Sequence, residues 1–505
     1  MQRVLIVTSE AYPLAKTGGL GDAVVGLAKA LAREGCDVRL LLPGYPDALG
    51  RLAGHVRRFD LGESPGLGSA ALVEAEMPKS GLPVWLIDCP GLYGRTGGLY
   101  QDSEGTDWPD NAQRFALLSR VGASIALAQG PVAWCPDIVS LNDWQAAPAA
   151  AILAHHAGPR PATVLTIHNL AFQGLAGCEV LDLLALPRTV FSPDGLEFWG
   201  CVSFLKAGIR YADRVTTVSE TYARDIMTPE FGCGLDGALR ARPDGVAGIR
   251  NGVDDDEWNP GGDAHLPAVY GIGDLTGKTD CKAAARAEFG LEPDTTAPVI
   301  AYLCRLTEQK MADVMIDALP DLVGRGVQTI VMGHGSRSIE TALHAAASRF
   351  AGRVGIHTGY DEARAHLLLA GADMLLAPAR FEPCGLTQMY AMRYGTVPIA
   401  SRLGGLMETI TDLSPDAPGV GDATGFLFDV NSVEGIMSAV ERALACYRQP
   451  LLWRRLVANG MRRDFSWARS ARRYLDLFAT LRPADGRDDR RPVAEARPAK
   501  RPVAL

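Results

Sequence analysis

The sequence predicts an α/β protein of two domains, each built on a mainly parallel sheet covered by helices. Three observations carry this. Short β-branched runs alternate with helical stretches almost throughout, the pattern of parallel strands joined by crossover helices. The chain has 505 residues, too many for one ordinary domain and enough for two with full cores. Glycine-rich turns follow directly on apolar runs in both halves, where such sheets bind ligands.

The first apolar run, Val4 to Val7, reads as a buried strand, and Val24, Leu27, Ala28 and Leu31 give the following helix. The N-terminal MQRVLIVTSEAYP has too short an apolar core for a signal peptide. Further strands are expected at 38–42, 84–88, 138–141, 163–167 and 214–218. The second half offers 299–304, 329–332, 374–377, 397–401 and 425–428. Helical periodicity falls between them, as at 339–350 and 362–370. From Asn251 to Pro298 turn signals cluster, so the domain junction belongs there. The expected organisation is a first domain 1–255, a second 256–460, a C-terminal helical segment 461–481, and a disordered tail 482–505 rich in Pro, Ala, Arg and Asp.

Composition narrows the function. Lys and Arg number 50 against 58 Asp and Glu, a net charge of −8 that argues against a nucleic-acid platform. No apolar run approaches the ~20 residues of a membrane span. None of the ten cysteines falls at C-x-x-C spacing, so neither a zinc site nor a redox motif is signalled, and a reducing, cytoplasmic compartment fits.

KTGGLGD, residues 16–22, lies between the first strand and the first helix. Backbone N–H groups at such a turn attract an anion, glycine lets it approach, and Lys16 adds a charge. Gly18 and Gly19 are the residues of closest approach. The spacing is neither a Walker loop nor G-x-G-x-x-G, so a structural turn and a ligand loop are equal readings. Gly404 and Gly405 repeat the device after the strand 397–401, so a ligand is expected in a cleft between the two sheets. Arg305 and Lys310 in RLTEQK follow the strand 299–304. Two such cations can neutralise a diphosphate without a metal; the alternative is a pair of solvated surface charges. RFEPCGLTQ follows the strand 374–377. Glu382, held before a proline, can accept sugar hydroxyls, and the amides around Gly385, Leu386 and Thr387 open a helix. Cys384 has a catalytic-thiol reading and a packing reading. His168 and Asp143 each follow a strand, in IHNLAFQG and LNDW; polar recognition is one option, against a structural role for a lone histidine and a helix N-cap for Asp143.

Together KTGGLGD, GLEFWG, SFLKAG, IHNLAFQG, NGVD, RLTEQK and RFEPCGLTQMYAMRYGTVP resemble the bacterial and plastid glycogen/starch synthases, glycosyltransferase family five, over roughly residues 1 to 480. The resemblance implies a GT-B architecture, two Rossmann-like domains with parallel sheets facing across a deep cleft. It implies retaining transfer of glucose from ADP-glucose, a co-substrate, to the non-reducing 4-hydroxyl of an α-1,4-glucan or glycogen. No other cofactor and no metal are implied. By motif, Lys16 contacts the donor diphosphate region, and Arg305 and Lys310 stabilise the departing ADP. Glu382 and the backbone after it hold the glucose hydroxyls, and His168 sits beside the sugar. Asp143, Tyr100 and Glu10 line the acceptor side, and Asn251 lies near the donor sugar. Retention by a double displacement needs a nucleophile on the far face of the sugar; none is identified, which favours front-face attack by the acceptor. Four positions depart from the family pattern: Asn142 for histidine, Met311 for glycine, Ser336 for aspartate and Leu403 for threonine. A relative with another donor or a small acceptor, and a weakly catalytic glucan-binding protein, stay open.

Overall fold

The computed structural model describes residues 1–414 and 419–481. The expected disordered tail at 482–505 therefore lies outside the described residues. The chain forms two compact units. The first holds Met1–Thr216, Ile226–Ala247 and the described residues from Ala471 on; the second holds Thr217–Asp225 and Gly248–Ser470.

In the first unit the strands are β1 (Arg3–Val7), β2 (Asp37–Pro43), β3 (Ala53–Ser64), β4 (Gly68–Glu76), β5 (Pro83–Asp88), β6 (Ile138–Asn142) and β7 (Ala162–Ile167). A small separate sheet contains β8 (Leu175–Ala176), β9 (Glu197–Phe198) and β10 (Cys201–Ser203), and β11 (Arg214–Thr217) and β12 (Ala247–Gly248) return to the main one. The main sheet runs β12-β11-β7-β6-β1-β2-β5-β4-β3. β1 pairs in parallel with both β2 and β6, and β6 with β7. Val4 to Val7 are fully buried, as a central parallel strand covered on both faces requires.

The main sheet departs from parallel pairing at one edge, where two further strands are added. β4 pairs antiparallel with β5 and with β3. β3 is mostly exposed, carries charged residues, and is interrupted by register shifts and by Gly54 and Gly62 at positive φ. An exposed, bulged edge strand has neither the apolar run nor the clean alternation that marks a strand in sequence.

The second unit contains β13 (Val299–Leu303), β14 (Gln328–Gly333), β15 (Val354–Thr358), β16 (Met374–Ala377), β17 (Val397–Ser401) and β18 (Phe426–Phe428). They form a six-stranded sheet ordered β15-β14-β13-β16-β17-β18, parallel throughout. Only β15 had no counterpart in the sequence reading; just two of its five residues are buried. The helix Trp467–Ala479 starts in the second unit, and from Ala471 on it belongs with the first, where Tyr474 is buried with its hydroxyl 3.5 Å from Thr166 Oγ1.

In each large sheet the order of the parallel strands reverses beside the first strand. The reversal falls between β1 and β6 in the first unit and between β13 and β16 in the second. Loops leaving the carboxyl ends of strands at such a point diverge to opposite faces and leave a crevice.

Candidate active site

The sequence-predicted residues gather at these two reversals. In the first unit Glu10 and the loop 16–22 follow β1, Asp143 follows β6, and His168 follows β7; these three strands are neighbours. In the second, Arg305 and Lys310 follow β13, Glu382 to Thr387 follow β16, and Gly404 and Gly405 follow β17, again three neighbours.

Two amides of the loop 16–22, those of Thr17 and Gly18, already have an acceptor. That acceptor is the buried carboxylate of Glu10. Glu10 Oε2 accepts from the main-chain N–H of Thr17 at 2.7 Å and of Gly18 at 3.4 Å, and Oε1 accepts from Thr17 Oγ1 and from the Tyr100 hydroxyl, each at 2.7 Å. Ser9 Oγ completes the cluster, 2.7 Å from the Tyr100 hydroxyl. Gly18 caps the helix Gly19–Arg33 with extended backbone. Lys16 is paired with Asp22 at 2.9 Å, and its ammonium lies 4.9 Å from the centre of the Tyr12 ring. Burial, with Glu10 adding to it, raises the Tyr100 hydroxyl well above its usual range, so it stays a donor. Sequence reasoning placed Glu10 and Tyr100 on the acceptor side and missed that they organise the glycine loop. Thr17 and Ser9 were missed altogether; a single sequence carries no signal for the contacts of Tyr100 with Ser9 and Glu10, about 90 residues away.

Asp143 is not an N-cap by side chain. It opens the short helix Asp143–Ala146 with φ at 56°, and its Oδ1 accepts from the main-chain N–H of His168 at 2.7 Å and of Asn169 at 3.2 Å. A buried carboxylate therefore sets the path of the loop that carries His168. The His168 ring has Nε2 3.0 Å from Asn142 Oδ1. Burial lowers its pKa to about 3, so the imidazole is neutral at physiological pH.

In the second unit Lys310 and Glu382 are joined by an ion pair. Arg305 Nη2 donates to Gln309 Oε1 at 3.1 Å; Gln309 Nε2 donates to the Phe381 carbonyl at 3.3 Å, and its own carbonyl accepts from the Arg380 N–H at 2.9 Å. Gln309, unremarked in sequence, thus ties the loop of the two cations to the loop of Glu382. Gly404 and Gly405 lie against that same loop. A Cβ on Gly404 would come within 2.0 Å of the Glu382 carbonyl oxygen, and Gly404 has φ of +46°. The Gly405 N–H donates to that oxygen at 3.0 Å, so this amide too is taken. The helix after Gly385 and Leu386 runs Thr387–Arg393. Cys384 is buried and its thiol is pushed up to about 12, by burial first, so it packs as a neutral group. The Asn251 backbone lies beside that thiol.

Two of the departures have a structural account. Met311 stands at the turn between Glu308–Lys310 and the helix Ala312–Gly324 in the left-handed conformation, φ 55°, which glycine adopts without penalty. Its side chain is fully buried, with Sδ 4.0 Å from Ser401 Oγ. Ser336 begins the helix Arg337–Arg349 without a side-chain cap; Glu340 instead accepts from the Gly335 N–H at 2.9 Å. Nothing in the structure explains Leu403.

Residues 3–241 match the family described as starch synthase catalytic domain, and 285–460 match glycosyl transferases group 1. The glycogen synthase of Burkholderia thailandensis is 47% identical over 97% of this chain and 93% of its own length. That of Paramagnetospirillum magneticum is 46% identical over 95% and 97%. The chain belongs to the glycogen/starch synthase family. A solved structure described as the catalytic domain of starch synthase IV from Arabidopsis thaliana, bound to ADP and acarbose, superimposes with a TM-score of 0.86 at 32% identity, covering 95% of this chain and 99% of that one. The fold is GT-B, and the protein is a glycosyltransferase of the glycogen/starch synthase type. Among the described residues no helix is long and apolar enough to cross a membrane.

Proposed function

We propose that this member of the family transfers glucose from ADP-glucose to the non-reducing 4-hydroxyl of an α-1,4-glucan, with retention, in the cytoplasm. ADP-glucose is a co-substrate on this reading, and the transfer calls on no further cofactor. The observation that carries it is the meeting of Arg305, Lys310 and Glu382 at the β13/β16 reversal, with Gln309 bridging their loops. Two cations beside one carboxylate suit a leaving diphosphate next to a hydroxylated sugar. The family relationship, and the ADP bound in the plant relative, support the donor.

The C1–O bond to the diphosphate breaks and ADP leaves with its electron pair. The acceptor oxygen bonds to C1 on the same face, and its proton passes to the departing phosphate oxygen. Fixed positive charge at the leaving group lowers this barrier because it acts where negative charge develops. Lys16, paired with Asp22, is assigned to the donor diphosphate region; Glu10, Tyr100, Asp143 and His168 serve the sugar and acceptor side.

Glucose incorporation into glycogen from ADP-glucose and UDP-glucose, side by side with nucleotide release, tests the reading. Incorporation mainly from ADP-glucose upholds it; preference for UDP-glucose corrects the donor. Failure of both in folded protein that still binds glucan rejects glucosyl transfer. A trapped covalent glucosyl-enzyme would rule out the front-face route.

A further inference from the structure

We propose that Asn142 is a positioning residue for the transfer. It holds the His168 ring as the neutral Nε2–H tautomer and so keeps Nδ1 as a hydrogen-bond acceptor for a substrate hydroxyl.

The hydrogen-bond directions fix the assignment. Asn142 Nδ2 lies 3.2 Å from the Val7 carbonyl oxygen and 3.5 Å from that of Ser140. Carbonyls only accept, so the amide NH2 must face them. The other amide atom, Oδ1, is then the one 3.0 Å from His168 Nε2. An amide oxygen also only accepts, so Nε2 must carry the proton. In a neutral imidazole the proton on Nε2 leaves Nδ1 with a lone pair. Among the described residues Nδ1 has no hydrogen-bond partner.

The pair is rigid from both sides. Asn142 is the buried last residue of β6, beside β1, whose last carbonyl it binds. Asp143, the ionisable next residue, accepts from the His168 and Asn169 main-chain N–H groups. A histidine at 142, usual in the family, could serve as donor or acceptor and would leave the tautomer open. Asparagine removes that freedom. An imidazole kept neutral suits an uncharged hydroxyl. The functional half of this inference rests on the glucosyl-transfer reading; the tautomer half does not.

The test uses the full-length protein with 15N-labelled histidine. His168 among the nine histidines is assigned by loss of its signals in His168→Gln. The wild type is expected to show Nε2 protonated and Nδ1 unprotonated at neutral pH. Asn142→Leu should give mixed tautomers and lower kcat by about 10- to 100-fold, with a smaller change in the KM for ADP-glucose, as loss of orientation does. Asn142→Asp keeps the acceptor but favours the imidazolium, so the acid limb of its kcat–pH profile should move toward neutral. An Nδ1–H tautomer or an imidazolium in the wild type overturns the proposal. So does an Asn142→Leu protein with both tautomer and kcat unchanged. If Asn142→Leu does not fold, the wild-type spectrum and Asn142→Asp decide. If the wild type turns over no sugar nucleotide yet shows Nε2–H, the glucosyl-transfer reading has failed and the tautomer assignment has not.

Discussion

Lys310 and Glu382, 72 residues apart in sequence, are bound to each other as an ion pair across the loops that leave β13 and β16. Both side chains are largely buried, at 17% and 11% exposure. A donor diphosphate would compete with Glu382 for the Lys310 ammonium, and binding would free the carboxylate for the sugar.

Lys310→Ala should therefore lower kcat by at least ~10²-fold while glucan binding survives, the size expected for removing a charge partner of the transition state. Unchanged turnover would remove Lys310 from the mechanism. Glu382→Gln, which keeps the shape, should raise the KM for the donor or lower kcat without loss of fold, as checked by circular dichroism.

Glu10 receives two hydrogen bonds on each carboxylate oxygen. Glutamine can present only one oxygen, so its NH2 must face donors whichever way it turns. Glu10→Gln should thus destabilise the protein nearly as much as Glu10→Ala, by about 2 kcal/mol or more, given that a hydrogen bond to a charged group contributes about 1.5–3 kcal/mol. Urea unfolding of the two variants checks this; a Gln variant as stable as wild type contradicts it.

Met311→Gly restores the residue usual in the family. Relief of the left-handed backbone returns about 1–2 kcal/mol. Loss of a buried methionine side chain costs about 2–5 kcal/mol. The variant should be less stable on balance, with an unchanged ratio of ADP-glucose to UDP-glucose use. A more stable variant, or a changed donor ratio, would give Met311 a different role.

His366 and Asp263 form a buried pair at 2.7 Å in the second unit, with His366 stacked on Trp258. Burial pulls the His366 pKa down, but the hydrogen bond His366 makes to Asp263 and the nearby Glu362 carboxylate outweigh it and raise it. Asp263 is opposed by burial yet lowered by His366 and Tyr394. The histidine's contribution is full below its unfolded value of about 6.5 and is lost as pH rises through the raised folded value. The aspartate's is present above about 3.9 and is lost as pH falls through its lowered one. Wild-type stability should decline more steeply above neutral pH than that of His366→Gln, in denaturant titrations at several pH values. Parallel profiles would show that the pair carries no pH dependence. Asp263→Ala should cost about 3–5 kcal/mol.

The order of the strands' ends was legible in sequence because a buried parallel strand is a continuous apolar run, and the polar residue after it stands at the carboxyl edge. That places Arg305, Glu382, His168 and Asp143 on the right loops from local pattern alone. The β3 edge strand was not legible, because an exposed strand is under no pressure to be apolar. Nor were the partners. Whether the amides of the loop 16–22 face a ligand or Glu10, whether Lys310 is free or paired, and which nitrogen of His168 carries the proton depend on residues 7 to 8, 72 and 26 positions away. Sequence by itself determined which chemical groups stand at the ends of the strands, because strand periodicity is local. Only the tertiary structure decided which of them spend their charge and hydrogen bonds on one another, because that depends on which strands the sheet sets side by side.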